Sequence, residues 1–366
     1  MIIIEMARKT RKKSKIDKKH FPEESQCHPK IKHKDGGCLP EEIYQIAGKR
    51  LNLSIAGETP SKSRVQTGAG KKGTSRSKKS KTPTPMKVGV QTPTPMKVGV
   101  QTFTQKTKKE ELVKQLYNKL GVKEGNERSL LNKLPFTQEE KDKVAKEYLR
   151  PEMPSSWSND LYSESNWLDS TNIRDVMKQY EEAYPHFKFL GPFPIDFAAP
   201  NPYRKGVSQK NLDYKNPPPP VIGAPDPKKA GQCLIDDMCA LDLKKEAANG
   251  KTGIGIIYNL DPHYKDGSHW MASYIDIPKK EFYFFDSYGM RPPRPIYKFM
   301  QWLTIQEPQI TLGWNGRRFQ KRDSECGMYC LYFLAKMISG QPFLEFVRSD
   351  PPDRLMLDLR DWMYST

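Results

Sequence analysis

The stretch that follows Cys326, CGMYCLYFLAKMI, constrains the fold more than any other part of the chain. Met328, Leu331, Phe333, Leu334, Met337 and Ile338 place apolar groups on every side of a helix. Such a helix must lie inside a domain, with other elements packed around it. Gly340 is a natural C-terminal stop, and Asp323 or Ser324 can cap the start. Cys326 then sits in the first turn, at the positive end of the helix dipole. That position stabilises a thiolate, the form of cysteine that attacks a carbonyl. A cysteine at a helix start is, taken alone, more often a small core residue.

Other stretches supply what a reactive thiol needs. Residues 269–277 and 281–287 are two β-rich runs separated by Pro278-Lys279-Lys280. Both faces of both runs are largely apolar, which predicts interior strands. A hairpin goes out and returns, so His269 at its start and Asp286 at its end meet at one sheet edge. That is the arrangement of a general base and the carboxylate that orients it. Gln320 lies six positions before Cys326, where its amide and the Cys326 backbone N–H could hold an oxyanion. Residues 166–187 read as an amphipathic helix preceded by Trp167 on a capping loop.

Taken together, these blocks resemble the clan of ubiquitin-like-protein (SUMO) proteases and adenovirus proteases. His269-Trp270 resembles the family's His-Trp, and Asp286-Ser287 its Asp-Ser. Gln320 and Cys326-Gly327 resemble its oxyanion glutamine and its nucleophile. Trp167, in Trp-Leu-Asp-Ser-x-x-Ile, resembles the block that opens SUMO-protease domains. The resemblance is closest to the polyprotein-processing proteases of African swine fever virus and other large DNA viruses. It extends to PFPIDF at 192–197, to Asn259-x-Asp261 and to Pro292-Pro293. Where the swine fever enzyme has an asparagine, this chain has Asp286, as SUMO proteases do. The resemblance covers about residues 157–346.

It implies an α+β, papain-like or adenovirus-protease-like fold, a mixed β-sheet packed on a central helix that bears the nucleophile. It also implies a cysteine endopeptidase with His269, Asp286, Gln320 and Cys326 as catalytic residues, cutting after Gly-Gly. Trp167 and Trp270 would bind substrate by roofing a channel too narrow for side chains. Neither metal nor cofactor is implied. A polyprotein of a maturing virion is the expected substrate. Alternatives are a SUMO or ubiquitin-like deconjugase, an acyltransferase on the same Cys-His framework, and a DNA-associated protein without catalysis.

The rest of the chain differs in character. Residues 1–110 hold 26 Lys+Arg against 9 Asp+Glu, while the whole chain holds 61 against 43. Phe21, Tyr44 and Phe103 are the only aromatics of this part. So basic a segment buries too little apolar surface to offset chain entropy. Residues 1–106 are therefore expected to be a mostly disordered tail, 107–150 a helical arm and 151–366 the protease domain. The polybasic run 7–20 is expected to contact nucleic acid. Virion and host cytoplasm are the expected locations, with the nucleus open because of that run. TPTPMKVGVQ occurs twice, at 82–91 and 92–101, and reads as a duplicated spacer. GAGKKGTS at 68–75 is not a phosphate loop, since Thr74 stands where that motif needs lysine.

Within the arm, Leu112, Leu116 and Leu120 share one face of a helix that stops at Gly121. Thr137-x-x-Glu140 has the pattern of a capping box. Ile43, Ile46, Ala47 and Leu51 suggest a short helix between Leu39 and Leu53. Residues 200–230 read as a Pro-rich loop. The six cysteines form no dense framework, which favours reduced thiols. Cys233, Cys239 and Cys330 read as core positions. A zinc site built from Cys27, His28, His33 and Cys38 fits no common spacing. Gly36-Gly37-Cys38 matches the implied cleavage preference and could be an autoprocessing site. The first apolar run ends at Glu5, so neither a signal peptide nor a membrane span is expected.

Overall fold

The computed structural model of the chain describes residues 27–31, 37–53, 98–158, 163, 166–201 and 233–366. The polybasic run, His33, Gly36, most of the tandem repeat and the Pro-rich loop at 202–232 lie outside the described residues. Four helices come first: α1 (Glu41–Arg50), α2 (Val98–Leu120), α3 (Glu127–Lys133) and α4 (Gln138–Tyr148). Next are α5 (Ser170–Ala183), β1 (Phe187–Phe193), α6 (Asp236–Cys239) and α7 (Leu243–Ala248). Then follow β2 (Gly253–Asn259), β3 (Trp270–Asp276), β4 (Glu281–Phe285), α8 (Arg294–Gln306) and β5 (Thr311–Trp314). The chain closes with α9 (Cys326–Ile338), α10 (Phe343–Arg348), α11 (Asp353–Asp358) and α12 (Arg360–Met363).

The five strands form one mixed sheet in chain order. β1 runs parallel to β2 and β4 parallel to β5, while β3 is antiparallel to both β2 and β4. Trp270, Ala272, Tyr274 and Phe285 face a core that contains α5 and α9. Met271, Ile275, Phe282 and Phe284 face a second core against α8. Helices thus cover both sheet faces, which is why the strands lack the alternation of a one-sided sheet. The expected α+β fold with a central, cysteine-bearing helix is the one observed.

Every residue of α9 from Cys326 to Met337 is buried. Phe285 stacks on Phe333 with ring centroids 5.0 Å apart. Truncating Phe333 to alanine would leave a cavity in this core costing about 3–5 kcal/mol. The cap differs from expectation. Glu325 occupies the N-cap position, and neither Asp323 nor Ser324 accepts a first-turn N–H. A better partner draws the Ser324 hydroxyl away, since it donates to the Glu325 carboxylate.

The arm is larger than the sequence suggested. Cys27, Cys38, Leu39, Tyr44 and Ala47 pack with Leu112, Leu116, Leu130, Leu134 and Leu149 in a third core. The tail expected to run to residue 106 therefore contributes 27–31 and 37–53 to a folded unit. Here few aromatics sufficed, because Tyr44 is wholly buried and its hydroxyl donates to the buried Glu127 carboxylate. α1 turns Tyr44 inward instead of Ile46, which stays 42% exposed. The capping box at Thr137 and Glu140 is present. The arm docks on the sheet domain through Gln179 to the Leu149 carbonyl (2.9 Å) and Arg128 to the Ser365 hydroxyl (2.6 Å).

Two expectations about cysteine are corrected. Cys27 is bonded to Cys38, and Cys233 to Cys239, leaving Cys326 and Cys330 as free thiols. Chain folding brings the paired Cα atoms to 4.9 and 6.4 Å, within disulfide range, which separations of 11 and 6 residues in sequence did not disclose. The zinc reading loses both its thiolates to the first of these bonds, and His28 turns to Glu182 instead, at 3.1 Å. Burial, above all, lowers the His28 imidazole to about 4. The autoprocessing reading meets an obstacle too: Cys38 is buried and donates its N–H to Glu127, so the Gly37–Cys38 bond is shielded.

Candidate active site

The hairpin register brings the first two site residues together. Ala272 pairs with Phe285 across β3 and β4, so His269 and Asp286 emerge at the same sheet end. The imidazole Nε2 lies 2.7 Å from Asp286 Oδ1. Backbone N–H groups of Tyr288 and Met290 donate to the two carboxylate oxygens, at 3.0 and 3.2 Å. Asp286 is therefore a fixed acceptor, and its loop is fixed in turn. The Asn315 amide accepts the Asp286 N–H (2.9 Å) and donates to its carbonyl (2.6 Å).

With Nε2 committed to Asp286, Nδ1 is the ring nitrogen left for sulfur. The Cys326 thiol lies close enough to the same imidazole to raise its pKa. Burial is the largest single influence on His269 and opposes its charge, but the hydrogen bonds and charges of Asp286 and Cys326 together outweigh it. The net result raises His269 to about 9. A protonated imidazole favours a thiolate at Cys326, and the residue's place at the start of α9 adds the positive end of the helix dipole.

Gln320 is wholly buried and held at three points. Its Oε1 accepts the Ser287 hydroxyl (2.7 Å), its Nε2 donates to the Arg322 carbonyl (2.6 Å), and its backbone N–H donates to the Ser287 carbonyl (2.9 Å). The hydroxyl contact fixes which end of the amide is NH2, leaving the second amide hydrogen as a donor. Beyond Gln320, the loop into α9 is pinned by the last helices. Asp353 accepts the N–H groups of Lys321 and Arg322, and Arg360 clasps Glu325 through Nη2 at 2.9 and 3.1 Å.

Cys326 opens onto a groove of about 460 Å³ lined by Trp167, Trp270, Pro192, Phe193 and Asn259 among others. Trp270 is buried, with its indole N–H donated to the Leu168 carbonyl at 2.8 Å. Trp167 stands on the rim, 42% exposed. A Cβ on Gly327 would lie 3.0 Å from Leu168 and 3.3 Å from Trp270. Glycine after the cysteine thus lets this wall close against the helix start. Among the described residues no cluster of His, Cys, Asp and Glu is placed to hold a metal. No described helix is long and apolar enough to cross a membrane.

The structure brings His269, Asp286 and Cys326 together, fixes Gln320 in the loop before the cysteine, and lines the groove with both tryptophans. Sequence reasoning missed Asn315, Asp353, Glu325 and Arg360, which carry no local pattern. It also missed Tyr288, whose ring stacks on His269 at 4.8 Å and in turn lies 4.8 Å from the Arg318 guanidinium.

A thiol at a helix start, a carboxylate-oriented imidazole beside it and a groove leading to the sulfur make up the equipment of a cysteine peptidase. Residues 256–360 match the Ulp1 protease family, C-terminal catalytic domain, so this part of the chain is a Ulp1-like cysteine peptidase domain. A thiol protease of Acanthamoeba polyphaga mimivirus is 28% identical over 247 residues, 65% of this chain and 68% of that protein. The SUMO-1 cysteine protease of African swine fever virus is 26% identical over 117 residues, 30% of this chain and 43% of that protein. The crystal structure of the swine fever virus protease superposes with a TM-score of 0.49 at 15% identity, covering 93% of this chain and 96% of that one. The Ulp1 protease domain in complex with Smt3, the yeast SUMO orthologue, gives a TM-score of 0.33 at 18% identity, covering 54% and 74%.

Proposed function

We propose that the protein is an endopeptidase that cuts after Gly-Gly and processes a structural polyprotein during maturation of a large DNA virus. The groove lined by Trp167 and Trp270 next to Cys326 carries this reading. Residues lacking side chains pass most easily beside two indoles. The viral setting draws on the mimivirus and swine fever relatives.

In the cycle proposed, the Cys326 thiolate, paired with the His269 imidazolium, attacks the carbonyl of the second glycine. The second Gln320 amide hydrogen and the Cys326 backbone N–H receive the oxyanion. His269 then gives its proton to the leaving amine, and a thioester remains. Neutral His269 takes a proton from water, which attacks the thioester and releases Cys326. Asp286 keeps the imidazole in one tautomer and orientation throughout.

The basic segment before residue 110 is proposed to hold the enzyme on nucleic acid within the particle, in a salt-dependent manner. Virion and host cytoplasm follow as its proposed locations. Deleting residues 1–26 should weaken DNA retention while leaving peptide cleavage intact.

The test uses the full chain and its Cys326→Ala variant with peptides containing Gly-Gly-Ala, Gly-Gly-Gly and Gly-Ala-Ala, and with SUMO and ubiquitin fusions. Cleavage of short Gly-Gly peptides, absent from the variant, is expected. Cleavage of folded fusions alone would replace this reading with a deconjugase.

A further inference from the structure

Two loops that meet beside His269 carry five cations between them. Residues 286–291 carry Arg291, and residues 316–323 carry Arg317, Arg318, Lys321 and Arg322. The loops touch closely. Gly289 has φ +74°, and a Cβ there would fall 2.5 Å from the Arg317 backbone. The Tyr288 hydroxyl reaches the Arg322 carbonyl at 3.4 Å. All five cations are exposed. Asp286 is buried and used by His269, Asp350 pairs with Arg317 at 2.8 Å, and Asp323 is the one exposed acid of the two loops. Among the described residues, Arg291, Arg318 and Lys321 make no ion pair.

The opposite flank of Cys326 has the other balance. Asp169, Asp196 and Asp261 lie in or beside the groove there, with Lys265 and His263, and Asp196 holds His263 at 2.7 Å. The two flanks also differ in their role. His269 must hand its proton to the departing amine, so the peptide that follows the cut lies on the imidazole's side. Tyr288 and Arg318 stand on that side, the Tyr288 ring stacked on the imidazole at 4.8 Å and the Arg318 guanidinium 4.8 Å from that ring. The Arg318 guanidinium is two stacked-ring spacings from His269, which is at most roughly three residues of extended chain.

We infer that this rim recognises an acidic segment immediately after the scissile bond. Arg291, Arg318 and Lys321 contact Asp or Glu within about the first three or four residues beyond the cut. This rests on the endopeptidase reading above and adds a second half to its specificity: small residues before the cut, acidic ones after it. Fully exposed charge pairs are individually weak, so the preference comes from several acting together. It also acts on the rate of encounter, because one flank attracts and the other repels an acidic chain.

The experiment compares three peptides that share Gly-Gly and differ beyond it: Ala-Asp-Glu-Asp, Ala-Ser-Gln-Ser and Ala-Lys-Arg-Lys. The expected kcat/KM for the acidic peptide exceeds that for the basic one roughly tenfold at low salt, what two or three exposed ion pairs supply. The ratio should shrink at higher salt. In the Arg291→Glu/Lys321→Glu double variant the order of the acidic and basic peptides should reverse. Equal rates for all three peptides in the parent would overturn the inference while leaving the Gly-Gly reading intact. If no peptide is cut, binding of the labelled peptides to Cys326→Ala decides. Tighter binding of the acidic one, lost in the double variant, would uphold the rim and sink the Gly-Gly reading. Indifferent binding would overturn both.

Discussion

Asp353 holds the backbone N–H of Arg322 at 2.9 Å, reaching from the start of α11 to the loop that precedes the nucleophile. The same carboxylate accepts the Lys321 N–H at 3.1 Å and the Tyr329 hydroxyl at 2.8 Å. One buried side chain thus fastens both the loop that carries Gln320 and the helix that carries Cys326. The distance between a proposed oxyanion donor and a nucleophile is set by a residue that takes no part in the chemistry.

Asp353→Ala leaves two peptide donors without an acceptor and the Tyr329 hydroxyl with the Pro351 carbonyl alone. A stability loss of about 2–4 kcal/mol is expected, since the lost bonds are to a charged, buried group. Activity should fall further than stability explains at a temperature where the variant is folded. Urea unfolding and kcat measured on the same preparation separate the two. Unchanged kcat in a folded variant would remove Asp353 from the positioning role.

The pH dependence follows from His269, which is raised from 6.5 to about 9. Its folded value lies above the unfolded one, so folding takes up a proton. The stabilisation is complete below about pH 6.5 and is lost as the pH rises through about 9, and amounts to about 3 kcal/mol at most. Unfolding free energy measured from pH 6 to 10 should decline over that window. Cys326→Ala removes one of the two groups that raise His269, so the imidazole should titrate lower in that variant by NMR. An unshifted imidazole would show that the two side chains do not interact.

Asp286→Asn and Asp286→Ala should differ. Asparagine keeps an oxygen to accept the His269 Nε2 proton, as the resemblance to the swine fever enzyme implies, but removes the charge. A loss of roughly 10–100-fold in kcat is expected for it, in line with other orienting groups. Alanine removes the acceptor as well and strands Tyr288 and Met290 N–H groups, so it should cost more and lower the melting temperature. Steady-state kinetics of both variants beside a thermal melt test this. Equal losses would mean the carboxylate acts only through its charge.

Alkylation tests the disulfides directly. The denatured, unreduced chain should take up label at Cys326 and Cys330 only, and all six cysteines should react after reduction. Cys27→Ser/Cys38→Ser should lower stability by about 2–3 kcal/mol, as expected for closing a short loop. Labelling of Cys27 or Cys38 without reductant would refute the bond.

Much of the site could be read from the chain because it is built from local pieces. The all-round apolar segment after Cys326 has no stable place except a domain interior, so the depth of α9 was set by its composition. A hairpin returns to its origin whatever surrounds it, so His269 and Asp286 had to emerge at one sheet end. What tertiary structure alone decided was who holds these pieces. Asn315 reaches Asp286 across 29 positions, Arg360 reaches Glu325 across 35, and Arg128 reaches Ser365 across 237. Polar residues like these leave no periodic trace, because each makes one contact with a segment far away in the chain. The same reason hid the arm's true extent. Cys27, Cys38 and Tyr44 lie in a basic stretch too poor in apolar groups to fold by itself, and only the faces of α2 and α3 give them something to pack against.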